Sequence, residues 1–119
     1  LSARNHPMVP LRKMRKLPAL TPYAAKRVKP GTFVSCSGLI LVRQRPPTAN
    51  GTSFSAIEDE HGFLDMVIFK NVYEKCREIY LNNCFLIVKG FIERDGHTVT
   101  LKVTDMAPIF KDATTFNIE

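Results

Sequence analysis

Two arginines, Arg43 and Arg45, stand at the start of a loop that contains Pro46 and Pro47. A guanidinium group is always charged and is too costly to bury without a partner, so both side chains must face solvent or an anionic ligand. Alternation along the strand end places the two side chains on the same side. Guanidinium groups bind phosphate oxygens well, so the pattern predicts contacts to a sugar-phosphate chain, with a solvated loop root as the alternative.

Two phenylalanines that follow this loop, Phe54 and Phe69, carry rings on which a nucleobase can stack. Stacking on an exposed ring contributes about 1 to 3 kcal/mol per base and tolerates any base. Core packing is the commoner use of an aromatic ring and is the alternative here. The other candidates for nucleic-acid binding are polar residues near predicted strand ends or on an outer strand face, with a solvated surface as the alternative: Lys70, Arg94, His97 and Lys102.

The remaining polar residues do not form a recognisable catalytic or metal site. Glu58, Asp59 and Glu60 share a tight turn, in which neighbouring carboxylates point in different directions, so we interpret them as structural. The three cysteines lack C-x-x-C spacing, and the apolar neighbours of Cys36 and Cys84 predict buried free thiols in a reducing cytoplasm. Without a Ser-His-Asp set or a phosphate-binding glycine loop, we expect this chain to hold no cofactor and to catalyse no reaction alone.

Length and composition suit one folded domain with a basic leader. The chain has 119 residues, of which 45% are hydrophobic, and this is enough for one core. Its first thirty residues hold eight basic and no acidic side chains, whereas the rest holds nine basic and eleven acidic ones. We therefore predict a Pro-rich leader over 1–30, a domain over 31–108 and a tail over 109–119. No apolar run reaches the length of a membrane span.

The leader has two interpretations. It is an electrostatic arm for nucleic acid, or a linker packed against a neighbouring domain, and apolar residues spaced through 8–20 favour the second. Its prolines exclude one long helix and predict short ones at 11–17 and 23–28, the latter capped by Thr21 with Pro22 in the first helical position. Because the chain begins with Leu rather than Met, we expect it to be cut from a longer protein.

Regular structure follows the leader. The spacing of apolar residues predicts one helix over 71–82, with Asn71 as its N-cap and Val72, Cys76 and Ile79 on its buried face. Asp-Gly at positions 95 and 96 predicts a tight hairpin. Hydrophobic alternation predicts strands over 32–42, 53–59, 64–69, 85–93 and 98–104.

Three strands, a helix and two strands is the order of an all-β OB-fold, a five-stranded Greek-key barrel with one helix between strands 3 and 4. Mid-strand glycines, Gly38 and Gly90, agree with the sharp coiling that a small barrel needs. Ligands of this fold lie across strands 2 and 3, flanked by two loops. In this chain those loops are 43–52 and 94–97.

The segment GLILVRQRPPTANGTSFSAIEDEHGFLDMVIF, residues 38–69, resembles the OB-domain motif of bacterial C-family DNA polymerases, the DNA polymerase III alpha subunits. It is most similar to the error-prone branch of that family, as is the leader around His6 and Leu11. Two departures are visible. Pro47 stands where the family usually has Gly, and Ser53, Ser55 and Ala56 are smaller and more polar than the usual residues of strand 2.

The resemblance implies that the parent is a DNA-directed DNA polymerase used in replication or repair synthesis, and that this domain holds single-stranded template DNA. It implies other domains of the polymerase as partners, and clamp or accessory proteins beside them. The catalytic aspartates of the family lie in domains outside this segment. Two alternatives stay open: an OB module that docks on a clamp, a single-strand-binding protein or an accessory factor, and the anticodon-binding OB domain of a class II aminoacyl-tRNA synthetase.

Overall fold

Five strands close into a barrel in the order β1-β2-β3-β5-β4. The structure is a computed structural model and describes residues 20–109. Strands β3 and β5 are parallel, and the other four neighbouring pairs are antiparallel. This topology, with one helix between β3 and β4, confirms the predicted fold. The elements in chain order are α1 (Pro22–Lys26), β1 (Phe33–Gln44), a 3-10 turn (Pro47–Ala49), β2 (Ser53–Asp59), β3 (Gly62–Ile68), α2 (Lys70–Asn82), β4 (Phe85–Asp95) and β5 (Thr98–Pro108).

The barrel interior is filled by alternate residues of each strand, because successive side chains of a strand point to opposite faces. In β3, for example, Leu64, Met66 and Ile68 are buried while the residues between them are not. The same alternation puts Leu101 and Val103 of β5 inside. The interior side chains with the least exposure are Ile57, Leu64, Ile68, Leu86, Val88, Ile92 and Leu101.

Two mid-strand glycines allow the strands to pass close to one another. A Cβ atom on Gly90 would lie 2.1 Å from the carbonyl oxygen of Lys102, and one on Gly38 would lie 2.5 Å from that of Glu58. Both distances are far below van der Waals contact, so any side chain would push β4 from β5 or β1 from β2. The glycines therefore fit the tight coiling that the sequence predicts.

Helix α2 begins one residue earlier than predicted, and its buried face is different. Phe69 is the N-cap and has an extended backbone, with no side-chain capping bond, so the predicted Asn71 cap is wrong. The fully packed face carries Tyr73, Cys76 and Tyr80, whereas the predicted Val72 and Ile79 are partly buried at its edge. Tyr80 buries well because its hydroxyl keeps a hydrogen-bond partner, the Ser53 hydroxyl 3.0 Å away.

The described part of the leader packs on the barrel. Thr21 caps α1 by accepting a hydrogen bond from the Ala24 N–H, and Pro22 follows it, as predicted. Ala25 is fully buried in the core. Leu20 forms a β-bridge with Cys36 of β1, through two backbone hydrogen bonds to the residues on either side of Cys36. The predicted helix at 11–17 lies outside the described residues, as does the tail beyond 109, so the domain boundaries stay a prediction.

None of Cys36, Cys76 and Cys84 forms a disulfide in the described part of the chain. Cys36 is buried, as predicted, but the prediction for Cys84 is wrong, because its side chain is exposed in the connection between α2 and β4. Burial raises the pKa of the Cys76 thiol, and the nearby Asp105 carboxylate raises it further. Among residues 20–109, no helix is long and apolar enough to cross a membrane.

Candidate nucleic-acid interface

The outer face of β2 and β3 carries exposed aromatic rings. Phe54 of β2 pairs with Val67 of β3, and the ring of Phe54 faces outward with 42% of its surface exposed. The sequence left open whether this ring enters the core. Because Ser53 and Ser55 take the inward positions of β2, alternation sends Phe54 to solvent without a bulge within β2.

Phe69 and Lys102, which the sequence selected separately, lie together at the end of this face. Phe69 is 44% exposed, and the Lys102 ammonium lies 5.3 Å from the centre of its ring. Lys102 is the β5 neighbour of Val67, which in turn pairs with Phe54. A cation and two rings therefore border one surface across three adjacent strands.

Two residues of this surface were missed by the sequence reasoning. Phe63, at the start of β3, is 49% exposed, and the Lys26 ammonium of α1 lies 4.4 Å from the centre of its ring. Alternation with the buried Leu64 was the signal for Phe63, since its neighbour on the strand must face the other way. No local pattern predicts Lys26, because its position depends on how α1 packs against the barrel.

Arg43 is exposed, and its guanidinium hydrogen-bonds to the backbone of the fold. Its Nε donates a hydrogen bond of 3.1 Å to the Tyr80 carbonyl, and its Nη2 donates one of 2.6 Å to the Asn83 carbonyl. These carbonyls belong to the C-terminal end of α2, where backbone acceptors lack partners within the helix and the helix dipole favours a cation. A register shift near Val42, which has a φ of 49°, turns the end of β1 toward this helix.

Arg45 is less committed to the fold than Arg43. Its Nε donates to the Gly51 carbonyl at 3.2 Å, and its guanidinium lies 4.0 Å from the centre of the Tyr73 ring. Arg45 and Lys70 both line an open cleft of about 380 Å³ formed with the loop between β1 and β2. In the described part of the chain, the other guanidinium N–H groups have no hydrogen-bond partner, so they are available to a phosphate in this cleft.

A buried pair of hydroxyl groups joins the start of β2 to α2. The Ser53 hydroxyl lies 3.0 Å from the Tyr80 hydroxyl, and it also lies 3.2 Å from the Gln44 carbonyl, to which it donates. The ring of Tyr80 meets that of Tyr73 edge to face, with 6.0 Å between centres. A larger residue at position 53 would collide with Tyr80, which gives a physical reason for the small serine there.

The last two candidates, Arg94 at the end of β4 and His97 in the β4–β5 turn, line different clefts. His97 lines a cleft of about 240 Å³ together with Phe63 and Asp65, at the edge of the β2–β3 face. Arg94 lines a different cleft, of about 670 Å³, beside Phe91. Gly96 has a φ of 62°, as the predicted Asp-Gly turn requires. The structure therefore brings His97, but not Arg94, next to the outer aromatic residues.

The acidic turn between β2 and β3 makes contacts within the turn itself. The Asp59 carboxylate is almost fully buried and accepts a hydrogen bond of 2.8 Å from the His61 backbone N–H. Glu60 lies 3.9 Å from the His61 ring. Within residues 20–109, no three His, Cys, Asp or Glu side chains are grouped to hold a metal ion.

A closed five-stranded barrel with a helix between β3 and β4 defines an OB-fold domain. Asparaginyl-tRNA synthetase from Pyrococcus horikoshii matches it with a TM-score of 0.64 and 21% identity, over 76% of this chain and 22% of that one. This likeness shows the fold alone. No family model matches the sequence.

The sequence relatives are polymerases. The chain is 37% identical over 111 residues to error-prone DNA polymerase 1 of Agrobacterium fabrum, covering 90% of this chain and 10% of that protein. It is 39% identical over 118 residues to the error-prone DNA polymerase of Teredinibacter turnerae, covering 92% of this chain and 10% of that protein. These matches confirm the predicted resemblance. The chain spans about a tenth of the length of the curated relatives it matches.

Proposed function

We propose that this chain is the OB domain of an error-prone DNA polymerase and that it binds single-stranded template DNA on the outer face of β2, β3 and β5. The observation that carries the proposal is the exposure of Phe54, Phe63 and Phe69 on one face, with Lys26 and Lys102 against two of the rings. Exposed rings beside cations are the usual platform for unpaired bases and their phosphates.

The phosphates follow the cationic side chains at the edges of this face. Arg45 and Lys70 offer a cleft at the end near the β1–β2 loop, and Lys102 lies on β5 beside the rings. Arg43 has a supporting role in this account, because two of its donors hold the end of α2. Binding is weak and tolerant of sequence, since few cations are available and stacking accepts any base.

The test is a titration of labelled oligo-dT at two salt concentrations with the Phe54→Ala/Phe69→Ala double variant. Each stacked base contributes about 1 to 3 kcal/mol, so we expect the affinity to fall by roughly ten-fold or more. The matched control is Phe33→Ala/Phe91→Ala, which removes two half-exposed rings from β1 and β4. Equal affinity of the wild type and the Phe54/Phe69 variant removes these rings from the site.

In the whole protein, we propose that the parent adds nucleotides opposite a template in replication or repair synthesis, in the bacterial cytoplasm. The names of the relatives support this activity. The other domains of the polymerase then supply the catalytic metal-binding residues, and this domain presents the template to them. We expect the isolated chain to bind DNA without incorporating nucleotides, which a primer-extension assay checks.

A second candidate is a protein-docking module for a clamp, a single-strand-binding protein or an accessory factor. One observation favours it: the rings of Phe33 and Phe91 pair edge to face with 5.1 Å between centres, and both remain about half exposed. Chemical-shift mapping separates the two functions. Oligo-dT perturbs the β2–β3 face if the first is right, whereas perturbation confined to Phe33 and Phe91 by an added protein favours the second. A preference for a tRNA anticodon loop would instead revive the synthetase alternative.

A further inference from the structure

A carboxylate stands in the middle of the surface proposed to hold DNA. Asp65 of β3 is exposed and pairs with Ala56 of β2 on one side and Thr100 of β5 on the other. In the described part of the chain, no hydrogen bond or ion pair engages its side chain. An acid on a phosphate-binding face repels the backbone, so its position needs a different explanation.

The surroundings of Asp65 form a small mixed cleft. It has a volume of about 240 Å³ and is lined by Lys26, Phe63, Asp65, His97, Thr98 and Val99. It thus combines an aromatic ring for stacking, a carboxylate that accepts hydrogen bonds, and a lysine and a threonine that donate them. This is the set of groups that reads the edge of an unstacked base.

We propose that this cleft is a base-reading subsite that prefers guanine. The inference rests on the proposed function, since it assigns one base position within the bound strand. Guanine has two adjacent donors, N1–H and the N2 amino group, and these match the two oxygens of Asp65. The guanine O6 next to them is an acceptor and faces the cationic side of the cleft, where Lys26 supplies a donor.

The other bases match this set less well. Adenine and cytosine place a ring acceptor beside their amino group, and that lone pair faces a carboxylate oxygen. Thymine has one N–H between two carbonyl oxygens, both of which Asp65 repels. Only guanine makes two charge-assisted bonds without an opposing acceptor. Lys26, which covers the Phe63 ring at 4.4 Å, moves off it when the base stacks there.

The experiment titrates the whole chain with four labelled oligo-dT probes, in which one central base is left as dT or replaced by dG, dA or deoxyinosine. A bidentate pair discriminates strongly between bases, so we expect the dG probe to bind roughly five-fold tighter than the dT and dA probes. Deoxyinosine keeps N1–H but lacks the N2 amino group, and its affinity should fall between those of dG and dT.

Two protein variants show whether the preference for dG depends on the Asp65 carboxylate itself or on the overall charge of the domain. Asp65→Asn keeps the size of the side chain, and we expect it to remove the preference for the dG probe over the dT probe. Glu78→Gln makes the same charge change on the exposed side of α2 and should preserve the preference. Chemical shifts of the core amides verify that both variants are folded.

The outcomes distinguish this inference from the proposed function. Equal binding of all four probes by the wild type overturns the guanine subsite and leaves DNA binding intact. A preference for dG that survives in Asp65→Asn also overturns it, since the carboxylate is then not the reader. Failure of every probe to bind overturns the proposed function, and the guanine subsite with it.

Discussion

The two arginines of the VRQRP segment differ in what the fold does with them, although one residue separates them. Arg43 donates to two carbonyls at the end of α2, whereas Arg45 makes one backbone bond and lines an open cleft with Lys70. The end of the barrel next to α2 is thus held by charge-assisted bonds and packed tyrosines. The outer face of β2 and β3 instead leaves its rings and cations accessible. One arginine of the segment therefore supports the fold, while the other lines an open cleft.

The largest expected effect lies at the α2 end of the barrel. Tyr80 is buried, and its hydroxyl lies 3.0 Å from that of Ser53. Replacing Tyr80 by Ala leaves a cavity and removes one of the two hydrogen bonds of the Ser53 hydroxyl, so we expect the free energy of unfolding to fall by about 3 to 5 kcal/mol. Urea denaturation measures this change. A loss below about 1 kcal/mol would show that this end of the barrel contributes little to stability.

The arginine pair itself provides the next test. Arg43→Ala removes two bonds from the end of α2, so we expect a loss of about 1 to 2 kcal/mol of stability and little change in the salt dependence of DNA binding. Arg45→Ala should do the reverse, with nearly unchanged stability and a clear loss of affinity for oligo-dT. Thermal unfolding and titration of both variants decide between the roles. The distinction fails if Arg43→Ala alone weakens binding.

The sequence predicted the barrel well because its signals are local or follow a simple period. Alternation of apolar residues marked the strands, and Gly38 and Gly90 indicated the close crossings that the structure shows. The N-cap of α2 was predicted wrongly, because an Asn with Glu three residues later imitates a capping box, while the end of β3 places Phe69 at the cap. Cap patterns cannot show where the preceding strand ends.

The candidate site was harder to predict, because it depends on contacts between distant segments. Nothing near Arg43 in sequence indicates that its partners are the carbonyls of Tyr80 and Asn83. Equally, Lys26 reaches the Phe63 ring because α1 packs against β3. Alternation with buried neighbours carries the signal for the exposed rings, although the sequence reasoning missed Phe63 and left Phe54 open, and it could not show which cations accompany them.

The smallest expected effect concerns a single cation on the open face. Lys102 lies beside Phe69 and next to Val67 of β3, where a bound strand would pass. If its ammonium contacts one phosphate, Lys102→Gln lowers the slope of log affinity against log salt by about 0.7, the value for one contact on a single strand. Titrations of oligo-dT over a range of salt concentrations measure the slope.

Lys75→Gln, on α2, is the matched control, since Lys75 lies 3.8 Å from Asp105 and outside the β2–β3 face. A slope that changes equally in both variants would mean that the general charge of the barrel, and not this face, attracts the strand.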